Sequence, residues 1–135
     1  MNVKLQLVHP DSVMPSYAKE GDACMDLTAV AINESDKHIE YDFGLAIEIP
    51  KGFFGYIRPR SSVSNTDLTF KTSGIIDSGY RGTLRARFQK NGEKIYEIGE
   101  RVAQLIILPY PLVHFEVVDE LSKTERGEGG HGSTN

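Results

Sequence analysis

Four short clusters hold the side chains whose types and spacing suit chemistry. In "GDACMDLTA" (21–29), Asp26 opens a candidate strand. It either accepts backbone hydrogen bonds at a turn or holds a hydrated divalent ion, since hard oxygen ligands suit magnesium. In "RPRSSVSN" (58–65), Pro59 fixes φ ahead of a short turn, so backbone N–H groups and the hydroxyls of Ser61 and Ser62 can point the same way. Arg60 adds a planar five-donor fork that fits phosphate better than a lysine does. In "SGIIDSGYRG" (73–82), Gly74, Gly79 and Gly82 shape a tight loop carrying Asp77 and Tyr80. Asp77 is there either to cap the turn or to take a proton from water, and Tyr80 either packs or offers a flat face to a sugar or base. In "GERVAQLIIL" (99–108), Gln104 is a lone amide in an apolar strand. An unpaired buried amide costs several kcal/mol in order of magnitude, so it must bond either backbone or a ligand.

Other chemistries find less support. Cys24 reads as a small buried hydrophobe, because no His or Asp partner can be assigned to it. His9, His38 and His114 lack metal-ligand spacing with one another or with the cysteine, so no zinc site is expected. "GEGGHG" near the C-terminus has no lysine and no following helix, which excludes a P-loop. The net charge of −4 gives no general attraction to nucleic-acid backbones, although clustered arginines can still bind a small polyphosphate. A single cysteine precludes an intrachain disulfide and suits a reducing compartment. The N-terminus alternates and reaches Pro10, unlike a signal peptide, and "VAQLIILPYPLV" is too broken by Gln104, Pro109 and Pro111 to span a bilayer. A cytoplasmic protein, cellular or virus-encoded, is expected.

The elements that must position these clusters are strands. Residues 3–9 alternate with Val3, Leu5 and Leu7 on one face, and 26–33, 45–50 and 53–59 follow as further candidates. Residues 83–90 alternate Leu84, Ala86 and Phe88 against Arg85 and Arg87. Asn91–Gly92 then suits a hairpin turn into 93–99, and strands at 101–108 and 112–118 complete the expected core. The one helical candidate is about a single turn near 61–65. Many short strands separated by turn signals predict an all-β sandwich, jelly roll or small barrel. Residues 1–120 form its domain, and 121–135 read as a tail that needs capturing to be ordered.

Taken in order, the four clusters and the tail "RGEGGHGSTN" resemble the five motifs of the trimeric dUTP pyrophosphatases (dUTPases). "PRSS", "GIIDSGYRG" and "RGEGGHGST" are nearly intact, and the resemblance runs from Val3 to Asn135. It implies a distorted jelly roll of the β-clip kind, assembled as a homotrimer with active sites at subunit interfaces. One subunit would supply Asp26, Arg60, Ser61, Ser62 and Gln104. A neighbour would supply the hairpin with Gly74, Ile75, Asp77 and Tyr80. The third would close its tail over dUTP, with Arg126, Gly130, His131, Gly132, Ser133 and Thr134 near the nucleotide. The implied reaction gives dUMP and pyrophosphate, with Mg2+ carried mainly by the triphosphate and reached by Asp26 through coordinated water. Asp77 would be the general base, supported by Asp26, Arg60 and Gln104. Main-chain groups at 74 and 75 would read uracil, and Tyr80 would exclude a 2′-hydroxyl.

The chain departs from that pattern at two places. Gly79 stands where the third motif usually has an acidic residue, and His131 where the tail usually has phenylalanine. The resemblance leaves room for a regulatory protein partner. Two alternatives stand beside it: a dCTP deaminase, which shares the fold but calls for a glutamate base near the cytosine, and a non-catalytic jelly-roll binding protein. The second fits poorly, because the loops hold the distinctive residues and the strands are generic.

Overall fold

The computed structural model describes residues 1–132. Its described residues form the β-strands β1 (Lys4–Leu7), β2 (Met25–Thr28), β3 (Ala31–Glu34), β4 (His38–Asp42), β5 (Leu45–Glu48), β6 (Phe53–Pro59), β7 (Leu68–Phe70), β8 (Ile75–Ile76), β9 (Arg85–Lys90) and β10 (Arg101–Pro109), with apolar–charged alternation clearest in β9. A 3₁₀ turn, Ser61–Asn65, follows β6 where one helical turn was expected. The strands form three antiparallel sheets, ordered β1-β5, β2-β10-β6-β8 and β3-β4-β9-β7. All three contribute to one core: Leu27, Ile57, Val102 and Leu105 meet Ile39, Tyr41 and Phe88, and Leu45 and Ile47 join them. The result is an all-β, jelly-roll-like fold. Among the described residues no helix is long and apolar enough to cross a membrane.

β9 buries Ala86 and Phe88 and exposes Arg85 and Arg87, as its alternation predicts. Phe88 packs edge-on against Tyr41 and Phe70, with ring centroids 5.7 and 5.4 Å apart. Other expectations are corrected. The 26–33 strand breaks in two around buried Ala29 and Val30. Leu7 is exposed, so the buried face of β1 ends at Leu5.

Asn91–Gly92 makes no hairpin with 93–99, which form no strand. The loop hooks onto Asp67 instead: Asn91 N donates to its carbonyl (2.7 Å) and Lys94 N to its carboxylate (2.9 Å). A Cβ at Gly92 would run into that carboxylate, so glycine is required by close approach. The loop thereby delivers Tyr96 to the core. Residues 112–118 are not a strand of this chain's core either: Phe115 and Val117 are 93% and 97% exposed. Their apolar alternation pairs with no strand among the described residues.

Candidate active site

The first half of the site lies where β2, β10 and β6 run side by side. Asp26 sits opposite Gln104, and Gln104 opposite Arg58, so the end of β6 delivers Arg60 beside the aspartate. Arg60 donates from Nε to Asp26 Oδ1 at 2.9 Å and from Nη1 to the Arg101 carbonyl at 3.4 Å. Arg101 donates from Nη1 to Asp26 Oδ2 at 3.4 Å. Of the open readings for Asp26, a turn cap is excluded: its carboxylate, only 12% exposed, lies between two guanidiniums. The Nη2 group of Arg60 bonds nothing among the described residues and remains for a ligand. Gln104 donates to the Pro59 carbonyl at 3.3 Å, which resolves its partner as backbone while it still borders the cleft.

This cleft, about 270 Å³, is lined by Asp22, Cys24, Asp26, Arg60, Ser61 and Gln104 with Ala18 and Ala23. Ser61 faces it. Ser62 turns inward, its hydroxyl 2.7 Å from the Tyr96 hydroxyl. Tyr96 is itself fixed by Tyr41, whose phenol donates to the Tyr96 carbonyl (2.8 Å) and accepts from its N–H (3.0 Å). Burial pushes the Tyr41 phenol well above its ordinary pKa. The 3₁₀ turn is thus tied to the core through Ser62.

Two residues of the cleft wall, Asp22 and Cys24, escape sequence reasoning, as does Arg101, which bonds Asp26. Cys24 is half-buried on the cleft wall, not a buried core residue, because it sits just ahead of the strand register that buries Leu27. Arg101 is hidden by a register shift between Arg101 and Ala103. Val102 and Ala103 are consequently both buried, and Arg101 is re-aimed toward the residue that Gln104 faces.

The second half is built on β8, which pairs with β6 through Ile75 opposite Tyr56 and Ile76 opposite Gly55. Gly74 enters it at φ +82°, and its carbonyl accepts Ile57 N at 2.7 Å. The loop then closes on itself: Tyr80 N donates to the Asp77 carbonyl (3.1 Å) and Tyr80 Oη to the Thr83 carbonyl (3.0 Å). A Cβ at Gly82 would strike the Tyr80 ring, whereas Gly79 has open space around it. Ile75, Asp77 and Tyr80 line a cavity of about 350 Å³ with Glu40, Thr72, Thr83 and Arg85. The Asp77 carboxylate makes no hydrogen bond or ion pair with any described residue, so it is free to accept a proton from a ligand or water.

The two halves do not meet within the chain. Asp26 and Asp77 belong to opposite edges of the β2-β10-β6-β8 sheet. Three inter-strand steps separate them by about 14 Å, to which the offset along β6 adds. The two groups line separate clefts of the chain. The described part of the tail lines neither cleft: Arg126 folds back, its Nε donating to the Gly129 carbonyl at 2.8 Å. Gly130, His131 and Gly132 line neither cavity, and His131 takes a left-handed φ of 52°. Ser133 and Thr134 lie outside the described residues.

A family profile described as dUTPase matches residues 11–135 of the chain. The chain belongs to the dUTPase family. Its relatives include the deoxyuridine 5′-triphosphate nucleotidohydrolase of Escherichia phage T5, 40% identical over 98% of this chain and 97% of that protein. The enzyme of the same name from Clostridium tetani (strain Massachusetts / E88) is 38% identical over 98% and 95%. A solved structure of the Staphylococcus bacteriophage 80alpha dUTPase with dUPNHPP superposes with a TM-score of 0.85 at 29% identity, covering 99% of this chain and 98% of that one. Family membership and the jelly-roll-like fold therefore agree, and both clefts fall inside the matched range.

Proposed function

We propose that this chain hydrolyses dUTP to dUMP and pyrophosphate, in sites completed between copies of itself arranged as a homotrimer. The observation that carries this reading is the split site. Arg60, Ser61, Gln104 and Asp26 line one cleft, and the unpaired Asp77 carboxylate with Tyr80 lines another at the far edge of the sheet. Each half lacks what the other holds. A second copy would bring Asp77 to the arginine cleft, and a heterologous, ring-closing contact would do so for every copy alike.

In that composite site Asp77 orients a water and takes its proton as the oxygen attacks the α-phosphorus in line. A new P–O bond forms, the bond to the bridging oxygen between the α- and β-phosphates breaks, and pyrophosphate leaves. Arg60, with Nη2 still available, meets the phosphate oxygens where charge develops, while its Nε stays fixed on Asp26. Serine hydroxyl and backbone N–H groups of the 3₁₀ turn supply neutral donors. The single oxygen-donor side chain of Asp26 fits outer-sphere contact with a magnesium ion borne by the triphosphate, and no described cluster of three acidic, histidine or cysteine side chains could hold one alone. When bound, that ion would neutralise triphosphate charge. The tail, released from its internal turn, is the source of Arg126 and of the His131 ring over the uracil of a neighbouring site.

Selectivity follows from the β8 loop. The Gly74 carbonyl is engaged by Ile57 N, so the remaining main-chain groups at 74 and 75 are those left for a base edge. Tyr80, held at its hydroxyl by Thr83, presents its ring to C2′ of the sugar. Pyrophosphate release from dUTP, dCTP, dTTP and UTP, with and without magnesium, tests the reading. Turnover of dUTP far above the other three is expected. Ammonia release from dCTP, or no turnover of dUTP, would overturn it.

A further inference from the structure

We infer that Arg81 and Glu48 form a positioning device that holds the Asp77–Tyr80 loop in its working geometry from outside the cleft. Arg81 follows Tyr80 but lines a different surface, on the β1-β5 side. Its Nη1 donates to two carbonyls of the loop, Ser78 at 2.7 Å and Tyr80 at 3.2 Å. Its Nη2 reaches Glu48 Oε1 at 3.2 Å. Glu48 ends β5, a strand anchored in the core by Leu45 and Ile47, and its other oxygen is paired to Lys4 of β1 at 3.3 Å. The guanidinium therefore staples a short loop to a rigid strand edge.

The loop needs such a staple. β8 is only two residues long, Gly79 leaves open space at the turn, and residues 77–82 bury no side chain. Its internal bonds, Tyr80 N to Asp77 O and Tyr80 Oη to Thr83 O, fix its shape but not its placement against the strands. Among the described residues, Arg81 alone connects its carbonyls to a separate sheet. A planar fork can satisfy two directions at once, which a lysine ammonium on a flexible stem does less well. Because both side chains are about half exposed, the pair adds little to global stability. Its effect is on placement, where an error of about 1 Å at a reacting group can cost a hundredfold in rate.

The kinetic part rests on the dUTP-hydrolysis reading; the structural part does not. The test compares native protein with R81A, E48A and the double variant by amide hydrogen exchange over residues 77–83 and by dUTP kinetics. Exchange in the unliganded loop should rise about tenfold or more in R81A, with melting temperature nearly unchanged. The value of kcat should fall about tenfold or more while KM stays within about threefold. E48A should move both readouts the same way by less, and the double variant should be no worse than R81A, because the two act through one contact. Native loop exchange in R81A would overturn the inference, as would full additivity of the two substitutions. Should native protein fail to hydrolyse dUTP, the hydrolysis reading falls and the exchange data alone decide the staple.

Discussion

Replacing Gly74 by alanine tests how the β8 half of the site is held. Gly74 sits at φ +82°, where an L-residue costs about 1–2 kcal/mol. The new Cβ would also run into the Ile57 carbonyl, a backbone atom of β6 that cannot swing aside. Relief requires the chain to move away from β6, which sacrifices the 2.7 Å bond from Ile57 N to the Gly74 carbonyl, worth about 0.5–1.5 kcal/mol net. Together these predict a loss of about 2–3 kcal/mol of stability. Because β8 has only two residues to lock its register, the same movement carries Asp77 and Tyr80 with it. Urea unfolding should show a lower midpoint with the slope unchanged, and dUTP turnover should fall by about tenfold or more. A G74A protein with native midpoint and native turnover would refute both the strain and the coupling of β8 to the site.

The remaining predictions concern the core and the Tyr80 loop. Burial raises the Tyr41 phenol, so the folded state keeps its proton when the unfolded chain loses it; stability is fully present below about pH 10 and falls above it by at most about 1.4 kcal/mol per pH unit. Denaturation midpoints measured across that range should show the decline in native protein and less of it in Y41F. Y41F should itself lose about 2–4 kcal/mol at neutral pH, because the Tyr96 N–H and carbonyl lose their shared partner. Y80A should relax discrimination between dUTP and UTP, read as the ratio of their kcat/KM values; an unchanged ratio removes Tyr80 from sugar selection.

Alternation made much of the scaffold legible. Ala86 and Phe88 against Arg85 and Arg87 define β9, and 53–59 corresponds to β6 residue for residue. β4 carries the same code, but Ile39 and Tyr41 are its only apolar members, so its signal is thin. Residues 112–118 show the converse: alternation marks a strand-forming stretch but cannot say whether the partner lies in the same chain. At the site, Asp26, Arg60, Asp77, Tyr80 and Gln104 stand out because each is polar or aromatic next to glycine, proline or an apolar run. Arg101 does not, because the register shift that turns it toward Asp26 breaks the alternation by which its direction would be read. Ser61 and Ser62 look equivalent in sequence, and only the Tyr96 hydroxyl separates the one facing the cleft from the one facing the core.

The proposed completion of the site between copies can be tested by mixing two variants expected to be inactive. R60A removes the proposed phosphate donor and D77N the proposed base, and each should turn over dUTP poorly on its own. In oligomers co-assembled from equal amounts, about one site in four draws an intact Arg60 from one subunit and an intact Asp77 from another. Pyrophosphate release from dUTP should then recover to about a quarter of the native rate. A mixture no more active than its two components, although shown to have exchanged subunits, would contradict the composite site.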